Sequence, residues 1–156
     1  MPIANINYNA ILKYPINQEL FRHLRPPQQL VYPCANGIKL VIFKSGKCRI
    51  MGCKERLRKH LYLSYHFPLP IKQWHLQSLS VNSNYGTSIN LHYLAQRLGS
   101  HNCTYEPEIF PGLRLLYFRP LCVNVFASGR IMILGVRTFK IKTLCHHVNQ
   151  YIFENL

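Results

Sequence analysis

The 156-residue chain has no aspartate and only five glutamates, so chemistry that rests on clustered carboxylates, metal-assisted phosphoryl transfer above all, has almost nothing to work with. It has no Cys-x-x-Cys pair. Its six cysteines (Cys34, Cys48, Cys53, Cys103, Cys122 and Cys145) sit mostly inside apolar strand patterns and read as buried thiols of a reducing compartment rather than as disulfides. His101, Cys103, Cys145, His146 and His147 are metal-binding residue types. Their spacing fits no zinc finger, and adjacent ligands on a helix point in different directions, so no metal is expected. A glycine-rich phosphate loop is missing. So is any apolar run near the roughly 20 residues of a helical membrane span. The opening MPIANINYNA lacks the basic and apolar regions of a signal peptide. The expectation is an intracellular protein that is not an enzyme, with no cofactor, membrane or small-molecule ligand.

What is abundant is positive charge. Nineteen Lys and Arg give a net charge of +14 and a pI near 9.8. Residues 1–78 hold 12 basic and 2 acidic groups, and residues 79–156 hold 7 and 3. Such an imbalance opposes compaction by self-repulsion and points to a polyanionic partner, DNA or RNA first, with the first half facing more phosphate. The length allows one substantial core or two intimately joined half-domains.

Read in order, Ala4–Leu12 alternates, with Ile6 and Tyr8 on one face and Asn5, Asn7 and Asn9 on the other. Asn17 is placed to cap a short helix carrying Leu20, Phe21 and Leu24, which Pro26-Pro27 ends. Leu30–Pro33, an Asn36-Gly37 turn, Lys39–Phe43, a Ser45-Gly46 turn and Lys47–Cys53 form a three-stranded meander. Lys54–Leu63 reads as a basic helix with Leu57 and Leu61 inside, and FPLPIKQ as a linker. Trp74–Val81 is then a strand, Thr87 or Ser88 caps a helix using Leu91, Leu94, Ala95 and Leu98, and Gly99 stops it. After a second meander, Ile141, Leu144, Cys145, Val148 and Ile152 trace the stripe of a last helix. IFKSGKCRIMG (42–52) and VFASGRIMILG (125–135) match each other. The chain therefore reads as a tandem duplication, 1–72 and 73–156, each copy running strand, helix, strands, helix.

Tyr105–Leu113, YEPEIFPGL, together with two copies of [IV]-F-x-S-G-[KR], resembles the TATA-box-binding protein family, most closely in the second copy. The resemblance implies an α+β saddle in which two pseudo-symmetric repeats form one curved antiparallel sheet with helices on the convex face. It also implies a concave face that enters the DNA minor groove and kinks it with apolar wedges. Phe110 and Phe126 match the wedge pair of the second repeat and Phe43 one wedge of the first, where Pro26-Pro27 stands at the other's place. Second-repeat spacing between Phe110 and Phe126 is one residue short. Asn5 and Ser78 match the groove-facing asparagines, with Asn7 and Ser80 one alternation on. Arg49, Met51, Met132 and Leu134 replace valines and threonines of the reading face. Asn124 replaces an apolar contact, and Val41 lies beside Phe43 on the same strand face. Strict TATA preference does not follow. Glu106, Glu108 and Ile109 match residues that bind a TFIIB-like factor, which bridges to RNA polymerase.

Each phenylalanine taken alone reads as ordinary core, and only the repeated F-x-S-G context turns Phe110 and Phe126 outward. The two glutamates would repel phosphate, which favours a protein partner over DNA, with plain solvated loop charges as the other reading. Two functions remain. One is an initiation factor on AT-rich promoter DNA that recruits a TFIIB-like factor or an RNA polymerase subunit. The other is an assembly protein of the same fold that holds transcription machinery on its altered face. The drifted reading face and truncated first copy suggest a divergent, virus-encoded version acting in the host nucleus or a viral factory.

Overall fold

The computed structural model describes residues 3–59 and 65–156. Its strands are β1 (Ile3–Leu12), β2 (Gln29–Pro33), β3 (Lys39–Phe43), β4 (Cys48–Cys53), β5 (Ile71–Asn84), β6 (Cys103–Thr104), β7 (Leu113–Leu115), β8 (Cys122–Val125) and β9 (Arg130–Val136). The α-helices are α1 (Leu91–Leu98) and α2 (Ile141–Glu154). The strands hydrogen-bond in the order β2-β3-β4-β1-β5-β9-β8-β7-β6. Two compact units divide the chain, Asn5–Ser78 and Leu79–Leu156 with the first residues, and the division falls inside β5.

In the Asn5–Ser78 unit, strict alternation along β1 buries Ile6, Tyr8 and Ala10 and leaves the three asparagines on the opposite face. Burying Tyr8 requires a partner for its hydroxyl, which accepts the Leu57 N–H at 3.0 Å. Burial pushes the Tyr8 pKa up, and that hydrogen bond opposes the shift. The Leu57 amide is thereby taken by a tyrosine and not by a helical carbonyl. This corrects the basic helix expected from Lys54: residues 54–58 are not helical, and His60–Leu63 lie outside the described residues.

The helix expected after Asn17 is a single 3₁₀ turn, Gln18–Phe21, with the Asn17 side chain accepting the Glu19 N–H at 3.0 Å. Only Phe21 of that turn is buried. One anchor does not repay the nucleation cost of a longer α-helix before Pro26-Pro27. The Asn36-Gly37 turn is present but wider than two residues. Cys34 N–H donates to the Ile38 carbonyl at 2.7 Å around a 3₁₀ turn in which Asn36 and Gly37 both have positive φ. The linker is shorter than expected, because Ile71 is buried and already belongs to β5.

In the Leu79–Leu156 unit the α1 cap is Asn90, neither Thr87 nor Ser88. Its side chain accepts the Tyr93 N–H at 3.1 Å, and Gly99, at φ +76°, ends the helix. Leu91, Leu94 and Leu98 are buried along α1, and Ile141, Val148 and Ile152 along α2. Leu94, Val148 and Ile152 are fully buried, which stabilises the fold by about 1.5–3 kcal/mol for each such side chain. None of the helices among the described residues is long and apolar enough to cross a membrane.

The same irregularity recurs in both units. Between Ile6/Tyr8 and Cys53/Ile50 the β4 strand carries one extra residue, and between Leu79/Val81 and Val136/Ile133 β9 does so. Gly52 at φ +84° and Gly135 at φ +82° take the left-handed turn of these bulges.

Candidate nucleic-acid interface

The ladders set the open face of each unit, the face opposite the buried alternates. In the first, Val31 pairs with Val41, Val41 with Arg49 and Arg49 with Asn9. In the second, Thr104 pairs with Arg114, Arg114 with Asn124, Asn124 with Met132 and Met132 with Asn82. Each is a single row of side chains running across the strands. Met51 stands one step along, opposite Lys39, and Leu134 opposite Cys122. Ser78 and Ser80 alternate with the buried Leu79 and Val81 on β5.

Val31, Asn9, Asn82, Arg114 and Thr104 complete these rows, and reading the sequence did not single them out as site residues. The signal for Asn82 was present: the 73-residue offset that relates Asn5 to Ser78 and Asn7 to Ser80 carries Asn9 to Asn82. Arg114 follows the YEPEIFPGL stretch directly and alternates with the buried Leu113 and Leu115.

Asn5 is largely committed to its own unit. Its Oδ1 accepts the Gly52 N–H at 3.0 Å, tying down the bulge, and its Nδ2 donates to Asn7 Oδ1 at 3.3 Å. Asn124 is 5% exposed, the one buried side-chain amide among the described residues. Its Oδ1 accepts from the Cys122 thiol at 3.8 Å.

Beside the second row, two residues past Asn124, Phe126 meets Phe110 edge-to-face, with ring centroids 5.8 Å apart and planes at 67°. Phe110 is 39% exposed. Both rings press on Gly112, where a side chain would force at least one of them to move. Phe126 is carried by the β8–β9 turn, in which Phe126 N–H donates to the Arg130 carbonyl and Gly129 N–H to the Phe126 carbonyl, each at 2.9 Å. Phe43 stands on the matching turn, with its N–H on Lys47 at 2.8 Å and Gly46 N–H on Phe43 at 2.9 Å. A guanidinium covers each ring: Arg130 lies 4.6 Å from the Phe126 centroid and Arg49 5.5 Å from that of Phe43. Pro26 and Pro27 are exposed and carry no aromatic counterpart to Phe110.

The acidic segment is a turn in which Ile109 and Phe110 N–H groups both donate to the Glu106 carbonyl at 2.9 Å. His92 of α1 packs edge-on against Tyr105, centroids 5.1 Å apart, and anchors its base. Glu106, Glu108 and Ile109 all face solvent, Ile109 at 79% exposure. Among the described residues no three His, Cys, Asp or Glu side chains converge as metal ligands. The Cys103 thiol points at the Ala95 and Gly99 carbonyls, at 3.9 and 3.5 Å.

The family model described as transcription factor TFIID, or TATA-binding protein, matches residues 73–150, half of the chain. The chain belongs to the TATA-binding protein family. It is 33% identical over 118 residues to TATA-box-binding protein 2 of Methanosarcina acetivorans, which covers 68% of this chain and 64% of that relative. To TATA-box-binding protein 1 of Haloferax volcanii it is 32% identical over 105 residues, 61% of this chain and 56% of that one. The matches thus span under two thirds of these relatives. The Methanococcus jannaschii TATA-binding protein superposes with a TM-score of 0.72 at 22% identity, covering 97% of both chains. The α+β saddle fold of the TATA-binding proteins is therefore the fold of this chain.

Proposed function

We propose that the chain is a transcription initiation factor of the TATA-binding protein type, built from repeats 1–72 and 73–156. It lays the open faces of its sheet into the minor groove of AT-rich promoter DNA and bends the duplex. The observation that carries this reading is the phenylalanine pair. Two apolar rings stand beside the second row, partly exposed and seated on a glycine, where core packing would have buried them. Asn5, Asn7, Val41, Phe43, Arg49, Met51, Ser78, Ser80, Asn124, Met132 and Leu134, with Phe110 and Phe126, form the DNA-contacting set. Glu106, Glu108 and Ile109 form a separate contact for a TFIIB-like factor or an RNA polymerase subunit, because exposed carboxylates repel phosphate while an exposed isoleucine next to them suits a protein surface. Such a factor works where the genome is transcribed, in a nucleus or a viral factory, and performs no catalysis.

Fluorescence anisotropy with an AT-rich duplex tests this. With a net charge of +14, affinity should drop a thousandfold or so between about 50 and 200 mM salt as counterions return to the phosphates. Energy transfer between dyes at the duplex ends should report a bend that the Phe110→Ala, Phe126→Ala double variant loses. Absence of duplex binding, alongside a tight complex with transcription proteins on the open face, would instead support the assembly-protein reading.

A further inference from the structure

The two rows carry different chemistry at the same register. Asn9, Arg49, Val41 and Val31 form one, and Asn82, Met132, Asn124 and Arg114 the other. Val41 and Asn124 are counterparts, 83 residues apart, and each is 5% exposed. A valine asks nothing of what covers it. A buried amide does, since an unsatisfied polar atom sealed from water costs free energy. The donor that Asn124 Oδ1 has is a thiol at 3.8 Å, among the weakest available. Whatever seals this face must leave that acceptor poorly satisfied or bring it a donor.

The edges of the minor groove differ on this point. A·T pairs present acceptors alone, whereas G·C adds the N2 amino donor of guanine. Arg49 asks for the reverse. It offers donors only, which matches the acceptor-only minor-groove edge of A·T pairs.

Resting on the minor-groove reading above, we propose that Asn124 lets the Leu79–Leu156 unit accept a G·C pair at the step it faces, while Arg49 holds the Asn5–Ser78 unit to A·T. The site is thus polar, one end AT-strict and the other permissive. Asn124 retains Nδ2 as a donor for A·T acceptors, so the effect is tolerance and not reversal.

The test walks one G·C pair along an otherwise all-A·T duplex and measures competition binding, each protein's affinities normalised to its own all-A·T value. For the unsubstituted chain, the cost should be about tenfold or more at steps in one half and under about threefold at one step in the other. Asn124→Val should raise the tolerated step to the higher cost, and Arg49→Met should lower the cost in the strict half. Inosine in place of guanine removes the N2 amino group without touching the protein. It should restore affinity in the strict half and bring no gain at the tolerated step. Equal costs in both halves, a profile unchanged in Asn124→Val, or inosine gains of the same size in both halves would each overturn the proposal. No salt-sensitive duplex binding by the unsubstituted chain would overturn the minor-groove reading itself, and this inference with it.

Discussion

Replacing Gly112 by alanine tests how the phenylalanine pair is held. The new methyl carbon would sit 2.7 Å from Phe110 Cε1, 3.3 Å from Phe110 Cζ and 3.1 Å from Phe126 Cε1. Carbon contacts prefer about 3.5–4.0 Å, so at least one ring must move. Gly112 does not have a positive φ, so alanine suits the backbone and gains about 0.4–1 kcal/mol by narrowing the unfolded ensemble. Against this stands overpacking, commonly about 1–3 kcal/mol. Phe110 decides between them, because its solvent side lets the ring swing outward and exchange the overlap for a lost edge-to-face contact of about 0.5–1.5 kcal/mol. The net loss should be about 1 kcal/mol or less, a fall in Tm of roughly 2–4 °C at most for a chain of this size. If ring crowding is the cause, Phe110→Leu should relieve it, and the double variant should be more stable than the two single effects predict by about 0.5–1.5 kcal/mol. Urea melts of the four proteins measure that coupling. Additive effects would refute the ring-crowding account, and a loss above about 3 kcal/mol would place the strain in the backbone instead.

Asn90→Ala should cost about 1 kcal/mol in a thermal melt by removing the cap of α1, whereas Ser88→Ala should change nothing measurable. Burial, reinforced by nearby Cys34, pushes the Cys53 thiol up to about 12 from its ordinary 9.0. Between those values the folded protein keeps a proton that the unfolded chain releases. Stability is therefore level up to about pH 9 and then falls by about 1.4 kcal/mol per pH unit from this group. Burial raises Cys48, Cys103 and Tyr8 in the same direction. Urea melts at rising pH should show a shallower alkaline slope for Cys53→Ala, and superimposable slopes would refute the attribution.

The alternation of ANINYNAIL, the Ser-Gly turns and the stripe of α2 were legible because each is a local pattern whose period the backbone imposes. What escaped the reading depended on partners far along the chain. The Lys54 segment has helical periodicity, but Tyr8 claims the Leu57 amide from 49 residues away. Asn17 caps a helix that has only Phe21 to bury. Asn90, Ser88 and Thr87 are equally good caps on paper, and only the position of the buried Ile89 and Leu91 selects among them. At the site, spacing set which residues share a face, while the cross-strand register that lines Arg114 up with Asn124 and Met132 required the ladders. The partial exposure of Phe110 and Phe126 was legible from a repeated context. The committed state of Asn5 was not, since its partner Gly52 lies in another strand.

The two copies agree where the backbone is constrained and differ where it is not. Gly46 and Gly129, at φ +86° and +89°, close the two Ser-Gly turns, and Gly52 and Gly135 take the two bulges. A side chain in that conformation would strain the chain, by roughly 1–3 kcal/mol, so neither unit can exchange these residues cheaply. The open-face positions need no special backbone conformation, and those that are partly exposed, Val31, Arg49, Arg114 and Met132 among them, swap with little effect on stability. There the copies diverge: Val41 against Asn124, Arg49 against Met132, Val31 against Arg114. The charge divides in the same way, with 12 basic groups up to residue 78 and the only paired carboxylates, Glu106 and Glu108, after it. One scaffold thus presents two sets of unlike side chains, with more of the basic charge up to residue 78 and the paired carboxylates after it. Exchanging the partly exposed open-face residues, Arg49 with Met132 and Val31 with Arg114, should therefore move binding preferences while leaving the melting transition nearly where it was.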